Sequence, residues 1–170
     1  TQADQAPQHP QITVQAVETA AQMASAVFEA APQSDVVVMA AAVADFTPVA
    51  VAEQKIKKST GTPEILLQPT VDILATLGAQ RPPSQVLVGF AAETSDLVEN
   101  AAKKLAAKGV DLMVANDVAA DQVGFGHDTN AVVILSDAEN SKKVPLASKT
   151  EIANAVLDAA LKTFHQNSKN

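Results

Sequence analysis

Val36 to Lys58 reads VVVMAAAVADFTPVAVAEQKIKK, and this stretch decides the fold. Its opening run, Val36 to Val43, is continuously apolar. That is the pattern of a strand buried on both faces, as in parallel sheets covered by helices. The run gives way to Asp45, and the connection that follows gathers Lys55, Lys57 and Lys58 at its end. A buried strand leading to a carboxylate and then to a dense cationic loop has the layout of a polyphosphate site.

Working outward, Gln11 to Val17 (QITVQAV) alternates as a strand should. Thr19 and Gln22 form a capping box that opens a helix. Met23, Ala26, Val27 and Ala30 then recur at helical spacing until Pro32 ends it. Strand, helix and strand in succession predict a parallel sheet with a right-handed crossover. Residues 46–62 read as a long connection rich in Lys, Thr and Pro, of the kind that serves as a functional loop.

Downstream, Glu64 to Leu67 reads as a short strand, and Thr70 as the cap of a helix carrying Val71, Ile73, Leu74 and Leu77. Arg81-Pro82-Pro83-Ser84 breaks the chain before a buried strand, Gln85 to Phe90. A helix from Ser95 to Lys108 follows, stopped by Gly109. Asp111 to Ala115 is the next strand. Ala131–Leu135 and Lys142–Leu146 flank the turn residues Asp137 to Ser141 as a β-hairpin. Ser148 and Glu151 form a second capping box, opening a last helix to about His165 with Ile152, Val156, Leu157 and Leu161 inward. The expectation is an α/β fold, one domain over residues 1–170, with a late antiparallel hairpin.

Composition narrows the function. Apolar residues make up 47% of the chain but aromatics only 3%, a mix suited to helices packed closely on a sheet. Cysteine is absent, so disulfides and thiolate metal sites are excluded, and three scattered histidines make no zinc cluster. The net charge of −7 argues against a nucleic-acid partner. No apolar run is long enough to span a membrane, and a cytoplasmic protein is expected. Against this acidic background the clustering of Lys55, Lys57 and Lys58, and of Lys103, Lys104 and Lys108, points to a small anionic ligand.

In open α/β sheets, ligands bind beyond the carboxyl ends of the strands. Three such ends carry notable residues: Ala41 to Asp45, Gly89 to Thr94, and Ala115 to Asp117. Asp45 suits a base, a ribose or Mg²⁺, or serves as a turn residue. Phe90 suits stacking on a base, or core packing. Glu93 is a metal ligand or an anchor for the helix that follows. On that helix, Leu97, Val98, Ala101, Ala102 and Leu105 form an apolar arc with Lys104 and Lys108 at its margin and Lys103 pointing away. No glycine-rich dinucleotide fingerprint or phosphate loop occurs.

MAAAVADFTP, KIKK, VGFAAET and VANDV, in this order and spacing, resemble the phosphopantothenoylcysteine synthetase domain of the bacterial bifunctional coenzyme A biosynthesis flavoprotein. The resemblance runs from about Val36 to Asn130 and continues more weakly through the hairpin and last helix. It implies a Rossmann-like three-layer α/β sandwich with a mostly parallel sheet, acting as a homodimer. The implied reaction joins 4′-phosphopantothenate to L-cysteine with CTP as co-substrate and Mg²⁺, through an acyl-cytidylate. By position, Ala41, Asp45, Asp72, Ile73, Phe90, Lys104 and Lys108 would bind the nucleotide, and Lys55 would contact it and serve catalysis. The family's Asn-Pro-Asp-Ile stretch is represented here by Thr70-Val71-Asp72-Ile73. Asn116 is a substrate-side or structural residue, and the metal ligands stay unassigned. The family's glycine-rich N-terminal segment has no counterpart, so the chain is expected to begin at the family's third strand. That leaves a non-catalytic nucleotide-binding or dimerisation module as the alternative. Fusion to a phosphopantothenoylcysteine decarboxylase domain would add FMN.

Overall fold

The computed structural model describes residues 9–50, 64–93, 95–117 and 128–169. A five-stranded sheet forms its middle layer, with strands β1 (Val36–Met39), β4 (Val86–Glu93), β5 (Leu112–Asp117), β6 (Thr129–Leu135) and β7 (Ser141–Ser148) side by side in that order. β1, β4 and β5 pair in parallel, while β6 runs antiparallel to both β5 and β7. Only β6 therefore runs against the other four, and the expected mostly parallel sheet with a late hairpin is what forms.

The strand alternation sorts the core into two halves. Leu87, Ala91, Met113, Ala115, Val133 and Leu135 face one way, against α1 (Ala20–Ala30), α2 (Ile73–Gln80) and α3 (Leu97–Lys108). Val86, Val88, Leu112, Val114, Val132 and Ile134 face the other way, against α4 (Lys149–Asn167). The result is the Rossmann-like three-layer sandwich. Both capping boxes form: Thr19 and Gln22 open α1, and Ser148 and Glu151 open α4. Gly109 ends α3 at φ +62°, with its N–H donating to Ala106 and that of Val110 to Leu105, the pairing that stops a helix without a Cβ clash.

Several expectations need correction. The strand expected to be buried on both faces over Val36 to Val43 is strand only at Val36–Met39, and none of those four residues is fully buried, because among the described residues β1 has a neighbour on one side only. Residues 11–17 form no strand, and Ile12 and Val14 are exposed. Alternation describes a two-faced segment but supplies no neighbour to pair with, and β1 is an edge strand hydrogen-bonded to β4. On α4, Ile152, Val156 and Ala160 are buried, whereas Leu157 and Leu161 are about half exposed. The inward stripe follows an i, i+4 line, and the two leucines sit one residue, about 100°, off it. The α2 cap is Asp72 rather than Thr70. Finally, the long connection opens with a strand: Phe46–Pro48 (β2) pairs antiparallel with Leu67–Pro69 (β3). The short strand expected at 64–67 falls slightly later, at β3.

Candidate functional site

The register brings the carboxyl ends of β1, β4 and β5 to one edge. Met39 pairs with Gly89, Phe90 with Val114 and Glu93 with Asp117. The convergence expected from the sequence is therefore present. A cleft of about 300 Å³ opens there, lined by Met39, Ala41, Val43, Ala44, Asp45, Thr70, Val71, Asp72, Ile73, Leu74, Phe90 and Lys108.

Local hydrogen bonds explain why these elements meet. The β2–β3 ribbon ties the segment after β1 to the segment before α2. Thr70 donates its N–H to the Asp45 carbonyl at 2.9 Å and its hydroxyl to the Ala44 carbonyl at 2.5 Å, while the Val49 N–H reaches the Leu66 carbonyl at 2.9 Å. Thr70 thus staples the strand end that carries Asp45 to the start of α2. Sequence reasoning assigned Thr70 to helix capping and missed this role. Phe46 and Thr47 lie opposite Pro69 and Gln68 in this ribbon, a pairing that no local sequence pattern marks.

At the mouth of α2, Asp72 Oδ1 accepts the Ala75 N–H at 3.0 Å, and Oδ2 pairs with Lys108 Nζ. Partial burial pushes the Asp72 carboxyl up. The Lys108 hydrogen bond, the Ala75 N–H and the Lys108 charge outweigh that and hold it below the usual carboxylate range. Ile73 is buried and forms part of the floor. Phe90 packs against the α4 side of the core and also borders the cleft. Asp45 and Ala41 are exposed at the rim.

The helical-wheel reading of α3 holds for its lysines. Lys103 is 69% exposed and pairs with Glu99 on its own helix at 2.7 Å. Lys104 Nζ lies 2.8 Å from Glu93 Oε1, and Lys108 is the most sheltered of the three. Val98, counted in the apolar arc, is 42% exposed. Lys104 does not line the cleft with the others; it sits beside the end of β4. Lys55, Lys57 and Lys58 lie outside the described residues. Asn116 stands in β5, paired with Ala92 and Val132.

Two interactions anchor the opposite edge. Asp111 Oδ2 accepts the Leu87 N–H at 2.8 Å and pairs with Arg81, whose guanidinium also donates to the Gln85 carbonyl at 2.5 Å. The buried Gln85 side chain donates to the Ala31 and Ser34 carbonyls, each at 2.6 Å. A larger depression of about 630 Å³ lies on that side, between the β6–β7 turn and α4, and none of the residues singled out as a site reaches it.

Among the described residues, no three His, Cys, Asp or Glu side chains are grouped to hold a metal ion. None of the described helices is long and apolar enough to cross a membrane.

The comparisons with known proteins agree with this architecture. Residues 2–164 match the family described as the DNA/pantothenate metabolism flavoprotein C-terminal domain. The chain is 48% identical over 141 residues to the coenzyme A biosynthesis bifunctional protein CoaBC of Bacillus subtilis (strain 168), covering 83% of this chain and 34% of that protein. It is 41% identical over 159 residues to a cysteine/cysteine sulfinic acid decarboxylase from an unknown prokaryotic organism, covering 94% of this chain and 44% of that protein. The chain thus spans less than half the length of both curated relatives. A crystal structure of the C-terminal domain of CoaBC superposes with a TM-score of 0.69 at 34% identity, over 91% of this chain and 65% of that one. This chain belongs to the DNA/pantothenate metabolism flavoprotein C-terminal domain family.

Proposed function

We propose that the chain carries the ligase chemistry of coenzyme A biosynthesis: CTP-dependent joining of 4′-phosphopantothenate to L-cysteine. The observation that supports this reading best is the cleft at the strand ends. It gathers Ala41, Asp45, Asp72, Ile73, Phe90 and Lys108, six of the positions that the family resemblance assigns to nucleotide binding.

In the proposed reaction a carboxylate oxygen of phosphopantothenate attacks the α-phosphorus of CTP. The bond to the β-phosphate breaks and pyrophosphate leaves, giving an acyl-cytidylate. The cysteine amine then attacks the acyl carbon and CMP departs. The chain's own part is to bind and orient. Ala41 leaves room for a flat base near the backbone, Phe90 offers its ring, and Asp45 offers acceptors at the rim. Lys108, Lys104 and Lys55 supply positive charge to the phosphates, where negative charge grows as pyrophosphate leaves. Lys55 is the residue proposed to act in catalysis.

Mg²⁺ is usually held by one or two carboxylates together with substrate phosphates rather than by a cage of protein ligands. Of the cleft's described carboxylates, Asp45 at the rim fits that pattern, since both Asp72 oxygens are engaged, and the ion would help neutralise the pyrophosphate. A homodimer is part of the same proposal, as is a fused decarboxylase domain with FMN in the full protein.

Pyrophosphate release with CTP, 4′-phosphopantothenate and Mg²⁺ tests the reading. Release that requires phosphopantothenate is expected. CTP binding without release would instead assign the chain as a nucleotide-binding or dimerisation module.

A further inference from the structure

We infer that Glu93 is a positioning residue that aims Lys104 toward the anionic ligand of the strand-end site; this rests on the nucleotide-binding reading above. Glu93 is the last residue of β4, and its side chain is only 11% exposed. Oε1 is shielded from solvent, and among the described residues it receives no hydrogen bond of good geometry, although Lys104 Nζ lies 2.8 Å away. The distance makes this an ion pair; the angle falls short of a hydrogen bond. A sheltered carboxylate without a counter-charge is strongly unfavourable, so it draws in a cation.

The geometry makes that cation specific. Strand alternation points Phe90 and Ala92 to the α4 side and Ala91 and Glu93 to the α3 side. Lys104 sits one helical turn before Lys108, whose ammonium is held by Asp72. Two lysines on one helix are thus each fixed by a carboxylate from a different element, the end of β4 and the cap of α2. Lys103, between them in sequence, pairs only along its own helix and stays in solvent.

A lysine ammonium has three N–H donors, so the ion pair with Glu93 leaves donors for phosphate oxygens. A free lysine would lose its rotamer freedom on binding a ligand; Lys104 has already lost much of it. Glu93 therefore acts through Lys104 and makes no contact with the ligand.

The test is CTP titration with Mg²⁺ by calorimetry on the wild type, Glu93→Gln, Lys104→Ala and the double variant, with circular dichroism to verify folding. Each single substitution is expected to weaken binding about tenfold, the scale of one charge-assisted hydrogen bond. The double variant should bind no more weakly than the weaker single. Unchanged binding by Glu93→Gln, or effects that multiply in the double variant, would overturn the inference. A nucleotide-free measurement separates its failure from failure of the CTP reading. Amine acylation mapped by mass spectrometry, with Lys103 as internal reference, should label Lys104 faster in Glu93→Gln than in the wild type. Equal rates would overturn the role of Glu93 even if CTP binds. Faster labelling with no CTP binding by the wild type would uphold the Glu93–Lys104 coupling and reject CTP as the ligand.

Discussion

Asp72 divides its carboxylate between two tasks, capping α2 through Ala75 with one oxygen and holding Lys108 of α3 with the other. The cap fixes where α2 starts, and the ion pair fixes where the lysine of the cleft lies. Asp72→Ala removes both and should cost about 1 kcal/mol, most of it from the cap. Asp72→Asn keeps a good capping oxygen, so its stability should stay within about 0.5 kcal/mol of the wild type. The pair is partly exposed and screened, so it adds little on its own.

The same carboxyl predicts a pH effect. Its folded-state pKa is lowered from the ordinary value of 3.8. Its contribution is therefore fully present above the unfolded-state value and is lost as pH falls through the lower folded-state value. The difference in urea midpoint between wild type and Asp72→Asn should be constant at and above about pH 5 and shrink below the ordinary carboxylate range.

Arg81, the chain's single arginine, is the counter-ion of Asp111, and both side chains are largely buried. Asp111 also accepts the Leu87 N–H, so it joins the start of β4 to the approach to β5. Asp111→Ala leaves a sheltered guanidinium without a counter-charge and should cost about 3 kcal/mol in urea denaturation. Arg81→Met combined with Asp111→Asn should cost less than the sum of the two single changes, because neither charge is then stranded.

Gly78 allows α2 to cross α3. A Cβ there would stand 1.9 Å from the Lys108 carbonyl oxygen, a backbone atom that cannot rotate away. Helix propensity alone would favour Gly78→Ala by about 1 kcal/mol. The clash should win and give a net loss of about 3 kcal/mol by thermal or urea unfolding. Because the obstructed carbonyl belongs to Lys108, the same variant should also weaken nucleotide binding.

The three lysines of α3 should separate by role. Lys108→Ala should weaken CTP binding about tenfold or more, the cost of one charge-assisted contact. Lys103→Ala, which removes a solvated pair with Glu99, should leave binding unchanged. Equal losses in both variants would indicate a diffuse electrostatic effect rather than a built site.

Much of this was legible in the sequence because it depends on local chemistry. The buried run at Val86, the two capping boxes and the Gly109 stop each follow from residue type and spacing, whereas the run at Val36 forms a strand that is only partly covered. Asp45, Phe90 and Lys108 were legible because strand ends and a helix margin place them. Relations between distant segments were not legible. Nothing local pairs Phe46 with Pro69, joins Thr70 to Ala44 or brings Arg81 to Asp111. Gln11 to Val17 failed for the converse reason, since its alternation was real but among the described residues no strand pairs with it. On α4, counting leucines misled, because a small residue, Ala160, fills the inward position that Leu161 seemed to claim.

The most direct test of the account is calorimetric titration of the chain with CTP and with ATP in the presence of Mg²⁺. Saturable 1:1 binding of CTP, lost in Lys108→Ala and at least about tenfold weaker for ATP, is predicted, a ratio equivalent to one or two base-edge hydrogen bonds. Equal affinity for the two nucleotides, or no binding of either, would contradict it.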